Sequence, residues 1–213
     1  MDIIPAIDIM DGSCVRLRHG DPEQKKIYCP DPVRVAAGFE EDGAAWLHVV
    51  DLDGAMAGLS KNRDSIRRIL KETGLSVQIG GGIRSLNNVE EWFKAGVSRV
   101  ILGTAAVEEP ALVEQCVRKF GADKIVVALD VRDFTIAIKG WKEQSSLPLD
   151  PFLDRMQDIG VQRVIVTDIS RDGTLEGPNM ELLTYVADTC KMRVTASGGI
   201  SSIFEVCALS NLK

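Results

Sequence analysis

The chain has 213 residues, of which 45% are hydrophobic and 26% charged, with a mean hydropathy of +0.04 and a net charge of −6. This composition is typical of a globular protein with one sizeable core, and it disfavours binding to nucleic acid or to an anionic membrane surface. The N-terminus is acidic where a signal peptide needs basic residues, so we expect a cytoplasmic protein.

Short β-branched runs alternate along the chain with longer amphipathic segments. Seven nearly continuous apolar runs predict parallel strands at 2–8, 46–53, 76–80, 99–103, 124–130, 163–168 and 193–197. Helices are predicted after them at 32–43, 62–73, 86–96, 110–120, 150–160, 179–190 and 202–210. This regular succession, without a linker, predicts one α/β domain.

The sequence also repeats itself. Residues 77–85 read "VQIGGGIRS" and residues 194–202 read "VTASGGISS", a match at an offset of 117 residues. Asp8 and Asp130 close strands of similar sequence at an offset of 122. These matches indicate two related halves of four β–α units each.

Eight such units close a (β/α)8 TIM barrel, and we expect a single barrel domain with half-barrels at about 1–121 and 122–213. An open doubly wound sheet is the alternative, but it does not explain the repeat. The partner of the fourth strand region, 99–107, falls at 216–224. The eighth β–α unit is therefore absent from this sequence. We expect the sequence to be an incomplete barrel, since an open barrel would expose two unpaired strand edges, and closure of the barrel in another way is the alternative.

Aspartates at the strand ends are the candidate catalytic residues, because the active site of such a barrel lies at the carboxyl ends of its strands. Asp8 and Asp130 are expected on opposite sides of the barrel mouth. There one carboxylate can remove a proton from carbon while another acid donates one. Each aspartate alone is also compatible with a structural hydrogen bond. Asp172 is better placed than Asp168 to reach a ligand, and Asp168 is expected to support its strand end.

Glycine-rich turns follow three strands, where the backbone can approach an anion and helix N–H groups point at it. The predicted phosphate-binding residues are Gly81, Gly82, Gly103, Thr104, Ser197, Gly198 and Gly199. Tight turns are the alternative interpretation. If both copies of the repeated turn bind phosphate, the substrate is long and doubly phosphorylated.

Two further side chains are candidates for substrate contact. Arg18, with Arg16 and His19 beside it, can meet a phosphate, and a solvated basic stretch is the alternative. Trp141 can cover a planar group as a lid, with plain packing as the alternative.

The sequence predicts chemistry without a metal or a cofactor. No cluster of His, Cys and carboxylate residues has metal-ligand spacing, and no GxGxxG follows a predicted strand. With two histidines in the chain, a Ser–His–Asp nucleophile has little support. The five cysteines form no CxxC pair, and we expect reduced thiols.

Seven segments together resemble one family. "IIPAIDIMDG", "LHVVDLDGA", "VQIGGGIRS", "ILGTAAV", "KGW", "TDISRDGTLEGPN" and "ASGGISS" are similar to the phosphoribosylformimino-5-aminoimidazole carboxamide ribotide isomerases of histidine biosynthesis. The resemblance runs from residue 2 to about residue 205. It implies a (β/α)8 barrel that converts an aminoaldose to an aminoketose by an Amadori rearrangement, on a substrate with two phosphates.

The resemblance also implies residue roles. Asp8 corresponds to the proton acceptor, Asp130 to the counterpart acid, Asp172 to an aspartate also implicated as the general acid, and Thr167 to a supporting hydroxyl. The implied reaction opens the ribose ring to a Schiff base, removes the C2 proton and tautomerises the enolamine. Two departures from the family are the missing last glycine turn and the absence of a glycine in "VRDFT".

Three other functions remain open on the sequence. They are a dual-substrate isomerase that also acts on phosphoribosyl anthranilate, the cyclase subunit of imidazole glycerol phosphate synthase, and a non-catalytic phosphosugar-binding barrel. In each case we expect a monomer that binds a phosphorylated small molecule.

Overall fold

A computed structural model describes residues 1–18, 21–58, 60–141 and 143–212. The chain divides into two compact units. The first comprises Met1–Leu17 and Glu23–Leu102, and the second comprises most of the remainder, from Gly103 onward. Among the described residues, no helix has both the length and the apolar character that a membrane span requires.

The first unit is a mostly parallel sheet with helices after its strands. Its strands are β1 (Ala6–Met10), β2 (Ser13–Arg18), β3 (Asp21–Cys29), β4 (Trp46–Asp51), β5 (Ser76–Gly80) and β6 (Arg99–Leu102). Its helices are α1 (Pro32–Glu41), α2 (Leu52–Ala57), α3 (Arg63–Glu72) and α4 (Leu86–Ala95). The strand order is β3-β2-β1-β4-β5-β6, with β1, β4, β5 and β6 parallel and β2 antiparallel to β1.

The second unit repeats this plan. Its helices are α5 (Thr104–Glu108), α6 (Pro110–Phe120), α7 (Leu149–Ile159), α8 (Met180–Thr189) and α9 (Ile203–Ser210). Its strands are β7 (Ile125–Arg132), β8 (Thr135–Ile138), β9 (Glu143–Pro148), β10 (Arg163–Asp168) and β11 (Arg193–Ser197). β7, β10 and β11 are parallel neighbours, and β8 and β9 extend from β7 as antiparallel strands.

Each unit has an apolar core between its sheet and its helices. In the first unit the fully buried side chains include Ile9 of β1, Leu47 and Val49 of β4, and Ile66 and Ile69 of α3. In the second unit the fully buried side chains include Val127, Leu129, Phe152, Leu153, Val164 and Val166. Parallel strands covered by helices bury both faces, which explains the nearly continuous apolar runs in the sequence.

All seven predicted strands and all seven predicted helices are present, and the predicted α/β class is confirmed. The parallel strand-then-helix order is consistent with a (β/α)8 barrel. The ends differ: β1 begins at Ala6 and not at residue 2, and β4 ends at Asp51 because Asp51 caps α2. The two antiparallel hairpins and the short helices α2 and α5 were not predicted. The half-barrel boundary near residue 121 stays a prediction.

The two hairpins give the repeat a structural counterpart. β2 follows β1 through a turn at Asp11 and Gly12, with φ of 48° and 75°. β8 follows β7 through Asp133 and Phe134, 122 residues later, with φ of 49° and 57°. This pair of positive φ angles is the geometry of a type I′ turn. Phe134 therefore adopts the conformation that Gly12 has, and the missing glycine in "VRDFT" does not change the turn.

Candidate active site

Three predicted site residues lie side by side at the carboxyl ends of the parallel strands of the second unit. Asp130 of β7 pairs in register with Thr167 of β10, and Thr167 pairs in register with Ser197 of β11. Since paired residues of parallel neighbours point to the same face, their side chains share one side of the sheet. The structure thus brings together residues that are 67 positions apart in the sequence.

The carboxyl group of Asp130 has a perturbed pKa. Burial raises the pKa of its carboxyl from 3.8 to about 6, and the negative charge of Asp172 adds to the rise. Hydrogen bonds from the Trp141 indole N–H and the Thr167 hydroxyl act in the opposite direction. A carboxyl group with a raised pKa beside a second acid is suited to proton donation near neutral pH.

Trp141 reaches Asp130 because of its backbone. It follows hairpin strand β8 in the left-handed region, with φ of 69°, and its side chain is half-buried. The preceding turn is held by the Lys139 backbone N–H, which donates to the Thr104 hydroxyl over 2.9 Å. Thr104, predicted as a phosphate ligand, therefore has a structural contact at the start of α5.

The loop after β10 is organised by Asp168. Its carboxylate accepts hydrogen bonds from the Ser170 N–H at 2.8 Å, the Ser170 hydroxyl at 2.6 Å and Asn179 Nδ2 at 2.6 Å. Burial alone raises the pKa of Asp168, but these hydrogen bonds and the charge of Arg171 together lower it. The Asp172 N–H also donates to the Asp168 carbonyl at 3.1 Å. Asp168 thus supports the strand end. Asp172 is half-buried and its charge acts on Asp130, and its expected contact with a ligand stays a prediction.

In the first unit, Asp8 is half-buried on β1, in register with Val15 of β2 and Val50 of β4. It lines a cavity together with Cys14, Arg16 and Tyr28, among others. Burial, with the charges of Cys29, Asp31 and Asp8, raises the pKa of the Cys14 thiol to about 12. Cys14 is therefore a neutral wall of this cavity and not a nucleophile.

His48 lies on β4 next to Ala6 of β1, two residues before the partner of Asp8. Burial lowers the pKa of its imidazole to about 4, so the ring is neutral at physiological pH. Its Nδ1 is 3.1 Å from Gln78 Nε2, and the amide fixes this nitrogen as the acceptor. His48 thus presents a neutral ring on the sheet that carries Asp8.

The first glycine turn has a packing requirement of its own. Gly81 and Gly82 have φ of 107° and 70°, and a Cβ on either would overlap a backbone carbonyl oxygen, of Asp51 and of Gly54 respectively. The turn then leads into α4, whose first turn is capped by Ser85. Close approach of two backbones accounts for these glycines, and phosphate binding by the same turn stays a prediction.

The second glycine turn has the same construction. Gly198 and Gly199 have φ of 88° and 78°, and a Cβ on Gly199 would overlap the Gly177 carbonyl. A capping box at Ser202 starts α9. Gly103, after β6, has φ of −101°, and a Cβ on it would lie 3.8 Å from its nearest neighbour, which is an ordinary contact.

Two asparagines were not predicted from the sequence. Asn62 is 1% exposed and lies among the polar groups that follow β1 and β4, and Asn179 holds Asp168. The signal that could have found them is the repeat itself, because the two asparagines are 117 residues apart.

Other predicted contacts lie outside the described part of the chain. Arg18 ends β2, but its side chain is not described, and neither is His19. Across the described residues, no group of three or more His, Cys, Asp or Glu side chains is arranged to hold a metal ion.

Residues 2–213 match the family described as "Histidine biosynthesis protein". The chain belongs to this histidine biosynthesis family. The fold of the family is a TIM barrel, which agrees with the parallel β–α units described above.

Named relatives of this histidine biosynthesis chain are isomerases. A protein of Caulobacter sp. (strain K31) is 48% identical over 206 residues, which cover 97% of this chain and 85% of the relative. A protein of Desulforudis audaxviator is 45% identical over 213 residues, or 100% of this chain and 81% of the relative. Both are named 1-(5-phosphoribosyl)-5-((5-phosphoribosylamino)methylideneamino) imidazole-4-carboxamide isomerase. A protein of Lactococcus lactis subsp. cremoris (strain SK11), 44% identical over 97% of this chain and 84% of the relative, has the same name. The predicted family resemblance is confirmed.

Proposed function

We propose that this protein is the aldose–ketose isomerase of histidine biosynthesis. It converts a ribosylaminoimidazole carboxamide with two phosphates from an aminoaldose to an aminoketose. The isomerase names of its relatives support the reaction. The structural observation that carries it is Asp130, whose pKa is raised to about 6 beside Asp172, because an Amadori rearrangement begins with protonation of the ribose ring oxygen.

The acid function belongs to the second unit. Asp130 holds a proton closer to neutral pH than an ordinary aspartate, and the negative charge of Asp172 strengthens this tendency. The Thr167 hydroxyl donates a hydrogen bond to Asp130 and orients its carboxyl. The indole N–H of Trp141, in the turn after β8, donates a second one. We assign the ring-opening proton to Asp130 and the stabilisation of its protonated form to Asp172.

The base function belongs to Asp8. After ring opening, the C2 proton is acidified by the neighbouring Schiff base, and a carboxylate can remove it. His48 on the adjacent strand is neutral, because burial lowers the pKa of its imidazole to about 4, so it adds no positive charge to this sheet. The enolamine then tautomerises to the ketose, so the net reaction moves hydrogen within one molecule and consumes no co-reactant.

The two phosphates are assigned to the two copies of the repeated turn. Gly81 and Gly82 precede capped helix α4, and Gly198 and Gly199 precede capped helix α9, so each turn opens into helix N–H groups. Gly103 and Ser197 extend these turns at neighbouring strand ends. We further propose that the protein acts as a monomer in the cytoplasm.

A spectrophotometric isomerase assay tests this function, with phosphoribosyl anthranilate as a second substrate and an ammonia-dependent cyclase assay in parallel. We expect turnover of the imidazole carboxamide substrate. Turnover of both isomerase substrates would make the protein a dual-substrate enzyme, and cyclase activity alone would replace the proposal with the cyclase function. Binding of the substrate without any turnover would favour a non-catalytic phosphosugar-binding protein.

A further inference from the structure

Two asparagines occupy the same position in the two halves of the sequence. Asn62 and Asn179 are 117 residues apart, and each is the N-cap residue of a helix, α3 or α8. Each Nδ2 donates to the aspartate at the end of the preceding parallel strand, Asp51 at 2.7 Å and Asp168 at 2.6 Å. In both units, a hydrogen bond between an asparagine amide and an aspartate carboxylate thus connects the start of a helix to the end of the preceding parallel strand.

The side-chain oxygens of the two asparagines accept hydrogen bonds from different groups. Asn179 Oδ1 accepts from the Leu182 N–H at 3.0 Å, which is an ordinary helix cap. Asn62 makes no side-chain cap with α3. Its Oδ1 instead accepts from the Gly12 N–H at 2.9 Å, and its Nδ2 donates to the Ile9 carbonyl at 3.2 Å. The side chain of Asn62 therefore does not cap α3 and instead binds the backbone at the end of β1.

This backbone is the segment that carries the proposed base. Ile9 is the residue directly after Asp8, and Gly12 lies in the type I′ turn that follows. The Asp11 N–H in the same turn donates at 2.8 Å to Asp53, which also accepts from Asn62 at 2.8 Å. Three of the four residues after Asp8, namely Ile9, Asp11 and Gly12, are thus hydrogen-bonded to side chains of the segment that follows β4.

The ties are shielded from water. Asn62 is 1% exposed, Asp51 is fully buried and Asp53 is 8% exposed. Hydrogen bonds from an amide to carboxylates are charge-assisted, and burial strengthens them because water does not compete. These hydrogen bonds add to those of the sheet at the carboxyl end of β1.

We propose that Asn62 is a positioning residue for the reaction, and that it holds Asp8 in place through the β1 backbone. The proposal rests on the proposed function, in which Asp8 removes the C2 proton. Asn62 acts on the geometry of proton transfer and not on substrate affinity. A displacement of about 1 Å at a reacting group costs up to about 100-fold in rate.

The test compares Asn62→Ser with the wild-type chain at 25 °C. Serine is too short to reach Gly12, but it is a favoured N-cap, and a new cap on α3 partly offsets the stability lost with the buried hydrogen bonds of Asn62. We expect kcat to fall about 10- to 100-fold, KM to change by less than about 3-fold, and the hydrogen exchange of the Gly12 amide to accelerate. Asn62→Thr, which also caps helices, is the second variant if the serine variant does not fold.

Ile66→Val is the matched control. Ile66 is fully buried on α3, the same helix, so the substitution loosens its packing without removing a polar contact to β1. We expect its kcat to stay within about 2-fold of wild type. A serine or threonine variant with wild-type kcat would overturn the proposal, and so would an equal loss of kcat in Ile66→Val at matched stability. A wild-type chain without isomerase turnover would instead refute the proposed function, before any variant is measured.

Discussion

The raised pKa of Asp130 has a consequence for stability. A rise from 3.8 to about 6 means that the folded protein binds this proton more tightly than the unfolded chain does. Ionisation of Asp130 therefore opposes folding. The penalty develops as the pH rises from 3.8 to 6 and is complete above that range. At 1.36 kcal/mol per pKa unit, it amounts to about 3 kcal/mol near pH 7.

Asp130→Asn removes this penalty and keeps an acceptor for the Trp141 and Thr167 donors. We therefore expect the variant to be inactive but more stable than wild type, by about 1–3 kcal/mol at pH 7 and by roughly half of that at pH 5. Urea unfolding of both proteins between pH 5 and pH 8 measures the difference in free energy of unfolding. Asp154→Asn, at an exposed position on α7, is the control, with an expected change below about 0.5 kcal/mol.

The pH dependence is the decisive part of this experiment. A stabilisation of Asp130→Asn that is the same at every pH would mean that packing, and not ionisation, causes it. A variant less stable than wild type at pH 7 would refute the reasoning, because the hydrogen bonds of the carboxylate would then outweigh the cost of burying its charge. Either result would remove the physical argument for Asp130 as a proton donor.

Three further predictions concern the proposed site. Asp8→Asn is expected to abolish turnover while substrate binding, measured by calorimetry, stays within a few-fold of wild type; unchanged turnover would refute the base assignment. In Asp172→Asn the lost negative charge lowers the pKa of Asp130, so the alkaline limb of the pH–kcat profile should move to lower pH. Complete loss of activity at every pH would assign the acid role to Asp172 instead. Gly82→Ala is expected to destabilise the protein by about 1–3 kcal/mol more than Gly96→Ala, since both positions have positive φ but the first alone would overlap a carbonyl. Equal unfolding midpoints of the two glycine variants would contradict the packing argument.

The sequence predicted the parallel strands and helices well because their apolar runs have a clear physical cause. A strand buried on both faces, such as β5 or β10, has few polar positions and stands out from the amphipathic helix that follows it. Hairpin strands lack this signal. β3 contains four charged residues in "DPEQKKIYC", and the second hairpin has Phe134 at the turn position where a glycine would have indicated a turn.

The candidate site was partly predictable for a related reason. Asp130 and Thr167 are found from their place at strand ends, since the fold puts those ends on one side of the sheet. The contact of Trp141 with Asp130 was not predictable, because it depends on the positive φ of a residue in an unpredicted hairpin. The apolar pattern of the sequence predicts the strands, but the hydrogen-bond partner of a side chain such as Trp141 depends on the tertiary structure.

Asn62 and Asn179 show most clearly that the sequence repeat does not predict which groups a side chain contacts. An offset of 117 residues predicts that the two asparagines are equivalent, and the contacts with Asp51 and Asp168 agree with this. The oxygens of the two amides nevertheless bind different groups, a turn N–H after β1 in one unit and a helix N–H in the other. Duplication supplies the same residue twice, and the neighbouring backbone then determines its role. Equivalent positions in the two halves are therefore best tested separately, even where the residue is identical.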